Sequence, residues 1–531
     1  MSSKAAFVVS LLLLVIGLSA AVPASAEIRE IVILHTNDFH SAIDPIPAYW
    51  LEGEPSPHLG GAAELMTLVE QIRTREARAG VPVFLFDSGD MFTGMLSKLT
   101  RGETLMEMMT TLEYDALGIG NHEFDYGWEN FRTQMNRVPF PSLGANIYYK
   151  GTDIPFSRPH TIIERGGVRL GVIGIIGHDA KSVILPSYVA ELDFTDPGPA
   201  VAQSIEELEG AVDLMVVLAH QGHTGPMQTD AEAHPEIQRN FKADILLCGS
   251  VPGIDVFLGG HAHRGIEVPY VHPRTGSIIA QTYGYGTRLG SLRLRIDTET
   301  NEVVSHEGEL LKVWSDELEP HPTMVAKMNA YKRQVAPVIG EVVGRADIRL
   351  VRSYNTESPL GAFSSDVLRE LTGTDVAFMN AGGLRADLPQ GEINLGNVQD
   401  AFPFVNTVVV QEFTGKQLKR ILEQGFTLLR GMIQVSGLVA EYDLRRQTGE
   451  RLLSLKIGGQ PVEDDRTYRS AANSFLAEGG DLYRTFTESE WVETIDRDIA
   501  TVVVDFLKQH EGSVPAPTTG RLIPASKEPV K

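Results

Sequence analysis

The sequence predicts an α/β fold in two domains, and three features predict it. Five short apolar runs, at 31–34, 83–86, 116–119, 214–218 and 256–258, are each followed within a few residues by Asp, Asn or His. Helix-like spacing separates the early runs, with Leu65, Leu68, Val69 and Ile72 on one face of 61–77 and a second helical segment at 104–112. After His263 the texture changes to strand-like stretches at 276–280 and 288–296, and a second alternation of helix and strand begins near 364. Strand and helix in alternation give layered α/β structure. In an open α/β sheet, active sites gather at the carboxyl ends of the strands, where these polar residues fall.

The chain begins with Lys4, the apolar run 5–21 and Val22-Pro23-Ala24-Ser25-Ala26. This reads as a signal peptide over 1–26, cleaved to leave Glu27, because the run is shorter than the ~20 apolar residues of a membrane span and ends in a small-residue cleavage site. A catalytic domain is expected over 27–318 and a linker helix over 319–340, with Met324, Met328, Tyr331 and Val335 on one face. A smaller α/β domain with a mixed sheet follows over 341–526. Its elements are helices at 364–371, 416–429 and 498–508 and strands at 376–379, 408–413 and 438–442. The Pro- and Lys-rich last residues read as disordered.

Composition narrows the function classes. At 531 residues, 43% hydrophobic and 22% charged, the chain has the profile of a folded protein larger than one domain. Lys plus Arg number 46 against 69 Asp plus Glu, a net charge of −23, which argues against a nucleic-acid polymer or an anionic lipid surface as the main partner. No Cys lies near the cleavage site and no apolar tail closes the chain, so no stable membrane anchor is expected. The mature protein is expected to be periplasmic or secreted, as a monomer or weak dimer. Cys248, the single cysteine, cannot form an internal disulfide and reads as buried filler.

The polar residues at the strand ends form a metal-ligand pattern. Asp38 and His40 share one short loop, and Asp90, on the turn Asp87-Ser88-Gly89-Asp90, can bridge two ions. Asn121 and His220 add neutral donors, and Gly259-Gly260-His261-Ala262-His263 presents two imidazoles. Mixed carboxylate and imidazole shells suit zinc, manganese or iron, without the thiolate that favours copper(I) or an iron–sulfur cluster. Two divalent ions about 3.5 to 4 Å apart can hold a hydroxide between them and clamp a phosphoryl oxygen for in-line ester hydrolysis. His122 then faces the leaving group, and Asp125 orients its ring and favours its protonated form. Any one of these residues alone could be a helix cap or a satisfied core histidine; five motifs in succession point to a site. His35, His58, His178 and His223 lie near the motifs without a matching slot and read as supporting or structural.

In the second half, Asn380-Ala381-Gly382-Gly383-Leu384-Arg385 offers an amide, a tight turn and a guanidinium, suited to an anion or a sugar hydroxyl. Phe404 and Phe475 lie on loops. Two such rings either plug the core or sandwich a planar base, at about 1 to 3 kcal/mol per stacked base.

The blocks His35-Thr36-Asn37-Asp38-Phe39-His40, Asp87 to Asp90, Gly120 to Asp125, Ala219-His220-Gln221-Gly222 and Gly259 to His263 closely resemble those of the calcineurin-like metallophosphatases. Their order and the second domain resemble the 5′-nucleotidase family, including bacterial UDP-sugar hydrolases. The resemblance implies a layered β-sandwich catalytic domain with flanking helices. It places Asp38, His40, Asp90 and His263 on one ion, Asp90, Asn121, His220 and His261 on the other, and makes His122 and Asp125 the catalytic dyad. It makes Asn380, Arg385, Phe404, Asn406, Phe475 and Asp481 the nucleotide contacts, with the phenylalanines stacking the base, Asn406 on the base and Asp481 on the ribose. One departure stands out. Where the family has arginines one and three residues before a Glu, this chain has Thr356 and Tyr354 before Glu357, with Arg349 and Arg352 displaced. The implied activity is hydrolysis of 5′-nucleotides, with UDP-sugars as a further class. The alternatives are a 2′,3′-cyclic nucleotide phosphodiesterase or a thiosulfohydrolase on the same scaffold, and, from another class, a non-catalytic nucleotide-binding protein.

Overall fold

The computed structural model describes residues 28–48, 51, 56–178, 182–222, 241–510 and 512–525. The expected signal peptide, His223 and the Pro- and Lys-rich end lie outside these residues.

Side-chain alternation builds the first unit. In the strand Ile28–Thr36, Ile31 and Ile33 point into a core between two sheets, while Val32 and Leu34 point to a core under helices. Burial on both faces is why this strand and its parallel neighbours read as unbroken apolar runs. The first sheet runs Glu302–Lys312, Arg288–Asp297, Ile28–Thr36, Val83–Asp87, Ala116–Gly118, Ser142–Leu143, and its last four strands are parallel. The second runs Tyr270–Val271, Ile278–Ala280, Val256–His261, Leu214–Gln221, Val168–Ile176, His160–Arg165, with its middle four parallel. Phe84, Phe86, Val216, Leu218, Val256 and Leu258 fill the space between the sheets. Helices Ala62–Ala79, Glu103–Leu112 and Pro322–Ile339 cover one outer face and Pro197–Leu208 with Lys242–Ser250 the other. This is the layered sandwich with flanking helices that the sequence predicts.

The helix Pro322–Ile339 buries Met324, Met328 and Val335 in the core of the first unit, with Tyr331 packed against it.

The second unit is built on a mixed sheet, Gln434–Ser436, Val376–Met379, Thr467–Asn473, Thr407–Thr414, Trp491–Asp498. Helices Pro359–Thr372 and Ile499–Gln509 pack on one face and Gly415–Gly425 on the other. Local signals set these helices. Ser358 and Asp498 cap the first two, Pro359 stands in the first turn of the first, and Thr414 forms a capping box with Gln417. Each cap is worth about 1 kcal/mol.

Side chains tie the units together across a cleft. Lys98 Nζ lies 2.6 Å from the Asp498 carboxylate. Glu478 accepts from the Ser187 amide at 2.8 Å and its hydroxyl at 3.1 Å. Among the described residues no helix is long and apolar enough to cross a membrane.

Candidate metal centre and cleft

The carboxyl ends of parallel strands from both sheets meet at one place. Asp38, His40, Asp90, Asn121, His220, His261 and His263 are all buried there, none more than 6% exposed. Five of them take left-handed backbone: Asp38 (φ 54°), His40 (46°), Asp90 (64°), His261 (67°) and His263 (49°). Such conformations cost about 1 to 3 kcal/mol each and persist where the surroundings impose them. Gly89 (φ 94°) lets the Asp90 loop touch its neighbour, since a Cβ there would lie 2.6 Å from the Gly120 nitrogen.

The side chains form groups that meet at Asp90. His263 Nε2 lies 3.1 Å from Asp38 Oδ1 and 3.0 Å from His40 Nε2. His220 Nε2 lies 3.0 Å from Asp90 Oδ2 and 3.2 Å from Asn121 Oδ1. Asp90 Oδ2 is also 3.9 Å from His122 Nε2 and 4.0 Å from His40 Nε2. Asp38, His40 and His263 make one close set of donor atoms, Asp90, His220 and His261 another, and His40, Asp90 and His122 a third that joins them.

This arrangement calls for positive charge. Burial alone would push the Asp90 carboxyl up, but His220 and His122 hold it far below the usual carboxylate range. Burial likewise disfavours charge on His220, yet Asp90 and Asp38 carry its imidazole up to about 10. His40 goes the other way, depressed by burial and by His263. A buried carboxylate oxygen facing imidazole nitrogens, two of which point at one another, is the donor chemistry of a divalent cation site.

Further residues hold these ligands in place. Glu123, fully buried, accepts from the backbone nitrogens of Gly120 (2.7 Å), Asp90 (2.9 Å) and Met91 (2.8 Å), joining two ligand loops. Asp87 accepts from Thr36 Oγ1 at 2.6 Å and from the Gly89 amide at 2.7 Å. His220 Nδ1 lies 2.8 Å from the Ser88 carbonyl, which fixes its ring. Sequence reasoning did not single out Glu123, although it lies inside the Gly120 to Asp125 block. His35 is buried but outside the cluster, packed against Gly290, and burial lowers it to about 4.

His122 Nδ1 sits 3.0 Å from both Asp125 oxygens, and Asp125 Oδ2 accepts from Thr93 Oγ1 at 2.8 Å. Burial works against charge on His122, but Asp125 and Asp90 outweigh it and raise the ring above its usual value.

A cleft lies between the units. Asn121, His122, Asp125 and His261 line one wall; Asn380, Arg385, Phe404, Asn406, Phe475 and Asp481 line the other. Phe402, two residues before Phe404, is in the core instead. Arg349 and Arg352 do not reach the cleft lining, and Arg349 pairs with Asp387 at 2.9 Å. Tyr354 and Arg430 do line it, together with Val183, Leu185 and Tyr188. Tyr354 stands where the resemblance places an arginine; the other four carried no sequence signal for the cleft.

Residues 31–265 match the family model described as calcineurin-like phosphoesterase, and residues 338–488 match 5′-nucleotidase, C-terminal domain. The chain belongs to the 5′-nucleotidase-type calcineurin-like phosphoesterases. Its buried His/Asp cluster fits the divalent-metal binding of that fold. It is 28% identical to "Endonuclease YhcR" of Bacillus subtilis over 84% of this chain but only 37% of that protein, so it spans little more than a third of that relative. It is 29% identical to "Protein UshA" of Escherichia coli over 86% of each. The solved 5′-nucleotidase precursor of Thermus thermophilus superposes with a TM-score of 0.80 at 27% identity, covering 94% of this chain and 100% of that one.

Proposed function

We propose that this phosphoesterase is an exported nucleotidase that hydrolyses 5′-nucleotides to nucleoside and phosphate, accepts UDP-sugars as a further class, and uses two divalent ions. One observation carries the reading. A single cleft has Asn121 and His261, at the edge of the buried His/Asp cluster, and the His122–Asp125 pair on one wall and Phe404, Phe475, Asn380, Arg385 and Asp481 on the other. The leader-like sequence at 1–26 supports export.

Asp38, His40, Asp90 and His263 would hold one ion, and Asp90, Asn121, His220 and His261 the other. Zinc and manganese suit these donors. When bound, divalent ions supply Lewis acidity at the phosphoryl oxygens and lower the pKa of water.

The chain's own groups do the rest. His122, whose Nδ1 is engaged by Asp125, holds its proton at Nε2 for the departing 5′ oxygen. Arg385 and Asn380 grip the phosphate end. Phe404 and Phe475 stack the base, Asn406 meets its edge and Asp481 meets the ribose. The proposed domain limits are 27–318, 319–340 and 341–526, the 319–340 helix packing into the core of the first domain, and rotation about this 320–340 connector admits substrate and releases product.

The test is phosphate release from AMP, UDP-glucose, 2′,3′-cyclic AMP and p-nitrophenyl phosphate. Metal-stripped protein would be supplied in turn with Mn, Zn, Co or Mg. The expected result is metal-dependent turnover of AMP that His122→Ala abolishes. Tight AMP binding with no turnover under any metal would make the chain a binding protein instead.

A further inference from the structure

The cleft wall of the second unit carries two guanidiniums, Arg385 and Arg430. Arg385 faces the metal end. Its charge acts on His40 and His122, and its guanidinium carbon lies 6.0 Å from the centre of the Phe404 ring. Arg430 is only 9% exposed, and its charge acts on Asp481 more strongly than that of Arg385 does. Its Nη2 donates to Ser182 Oγ, across the cleft, at 3.2 Å.

Both Arg430 and Asp481 stand on fixed backbone. The Met432 amide donates to the Tyr354 carbonyl at 2.7 Å. Gly431 (φ 80°) is packed so closely that a Cβ would lie 2.8 Å from the Tyr354 oxygen and 2.9 Å from Ala381 Cβ. Asp481 and Leu482 both take left-handed backbone, at φ 52° and 66°. Asp481 Oδ2 accepts from Asn380 Nδ2 at 2.7 Å, and Asn380 Oδ1 accepts from Asn473 Nδ2 at 2.8 Å.

We propose that Arg430, standing beside the Asp481 already expected to contact the ribose, sets the preference for a ribose 2′,3′-diol over sugars whose hydroxyls are missing or esterified. This rests on the nucleotidase reading above. A carboxylate only accepts hydrogen bonds and a guanidinium only donates them. A vicinal diol offers both donors and acceptors, so one diol satisfies the two fixed partners at once. The pair carries no net charge, which suits neutral hydroxyls. A phosphate on those hydroxyls, open or cyclic, would set its charge beside the Asp481 carboxylate. A sugar lacking one hydroxyl leaves a buried polar group unmatched, the situation in which binding sites reject analogues most strongly.

The experiment compares kcat/KM for AMP and 2′-deoxyAMP in the wild type, Arg430→Met and Arg430→Lys at one fixed metal concentration, with p-nitrophenyl phosphate as the sugar-free reference. The wild type should prefer AMP by on the order of tenfold or more. Arg430→Met should bring the two nucleotides close together, chiefly by raising KM for AMP, and Arg430→Lys should recover part of the preference. Any effect of Arg430 on how the units close falls equally on both nucleotides and cancels in the ratio. An unchanged ratio in Arg430→Met, or a wild type that treats both nucleotides alike, overturns the proposal while leaving the nucleotidase reading in place. Turnover of the aryl phosphate but of neither nucleotide overturns the nucleotidase reading, and the proposal falls with it.

Discussion

The rings of His122 and Phe404 stack across the cleft, with centroids 5.8 Å apart and planes 19° from parallel. One belongs to the unit proposed to hold the metal ions and the other to the unit proposed to hold the base. The side chain proposed to protonate the leaving group thus touches the side chain proposed to hold what leaves.

Phe404→Ala should raise KM for AMP by about ten- to a hundredfold, matching a stacking loss of about 1 to 3 kcal/mol. Turnover of p-nitrophenyl phosphate, which has no base, should suffer far less. Steady-state kinetics on the two substrates check this, and equal losses on both would show that Phe404 does not stack a base.

Asp125→Asn removes the carboxylate that raises and orients His122. A loss in kcat on the order of 10²- to 10⁴-fold is expected, the range for a positioned proton donor. KM should change little, because Asp125 is proposed to act on the proton and not on binding.

Asp90 is where the two donor sets come together, so Asp90→Ala should cost more metal than the loss of any other single ligand. Metal content per chain, read by elemental analysis, should fall toward zero. The rise in Tm that metal gives the wild type should vanish too, since an ion that binds only the folded state stabilises it. A normal metal content in Asp90→Ala would rule out its shared position.

The Asp481 carboxyl is pushed up to about 6 by burial, against the pull of Arg430 and the Asn380 hydrogen bond. Its folded pKa lies above the unfolded value of about 3.9, so between the two the folded state binds more protons than the unfolded state. This contribution to stability is therefore full below about pH 4 and lost as pH rises through about 6. The gap between the two values corresponds to at most about 3 kcal/mol. Urea midpoints of metal-free protein between pH 4 and 7 should show this decline, and Asp481→Asn should flatten it.

Cysteines at Ser187 and Glu478, two positions already in contact across the cleft, provide a lock. The native Cys248 is buried and its thiol is pushed up to about 12, so it will not compete for the reagent. A bismaleimide bridge between the new cysteines should sharply reduce turnover if the units must move apart in each cycle. Unchanged turnover would show that they need not.

The layered architecture, and the gathering of buried Asp, Asn and His side chains at one place, were legible because of where parallel strands end. Strands buried on both faces leave unbroken apolar runs, and a ligand at a strand's carboxyl end interrupts the run at a fixed place, as Asp90 and Asn121 do. Helix ends were less legible. Apolar spacing carries the expected helix 416–429 through Leu429, but it spans Gly415–Gly425. Phe426 turns out to stack on Tyr442 at 4.5 Å, and Leu428 takes φ 59°. The expected helix 364–371 begins five residues earlier, at Pro359, because Ser358 caps it and proline suits the first turn. Arg430, Val183, Leu185 and Tyr188 reach the cleft through tertiary packing, which no spacing in the chain encodes.

The helix Pro322–Ile339 shapes how this protein can be divided. Because it buries Met324, Met328 and Val335 beneath the first sheet, a fragment cut at residue 318 would lose part of its own interior and expose an apolar stripe to solvent. The seam for exchanging one substrate-reading half for another therefore lies after Ile339, and chimeras joined there should stay soluble where earlier junctions aggregate.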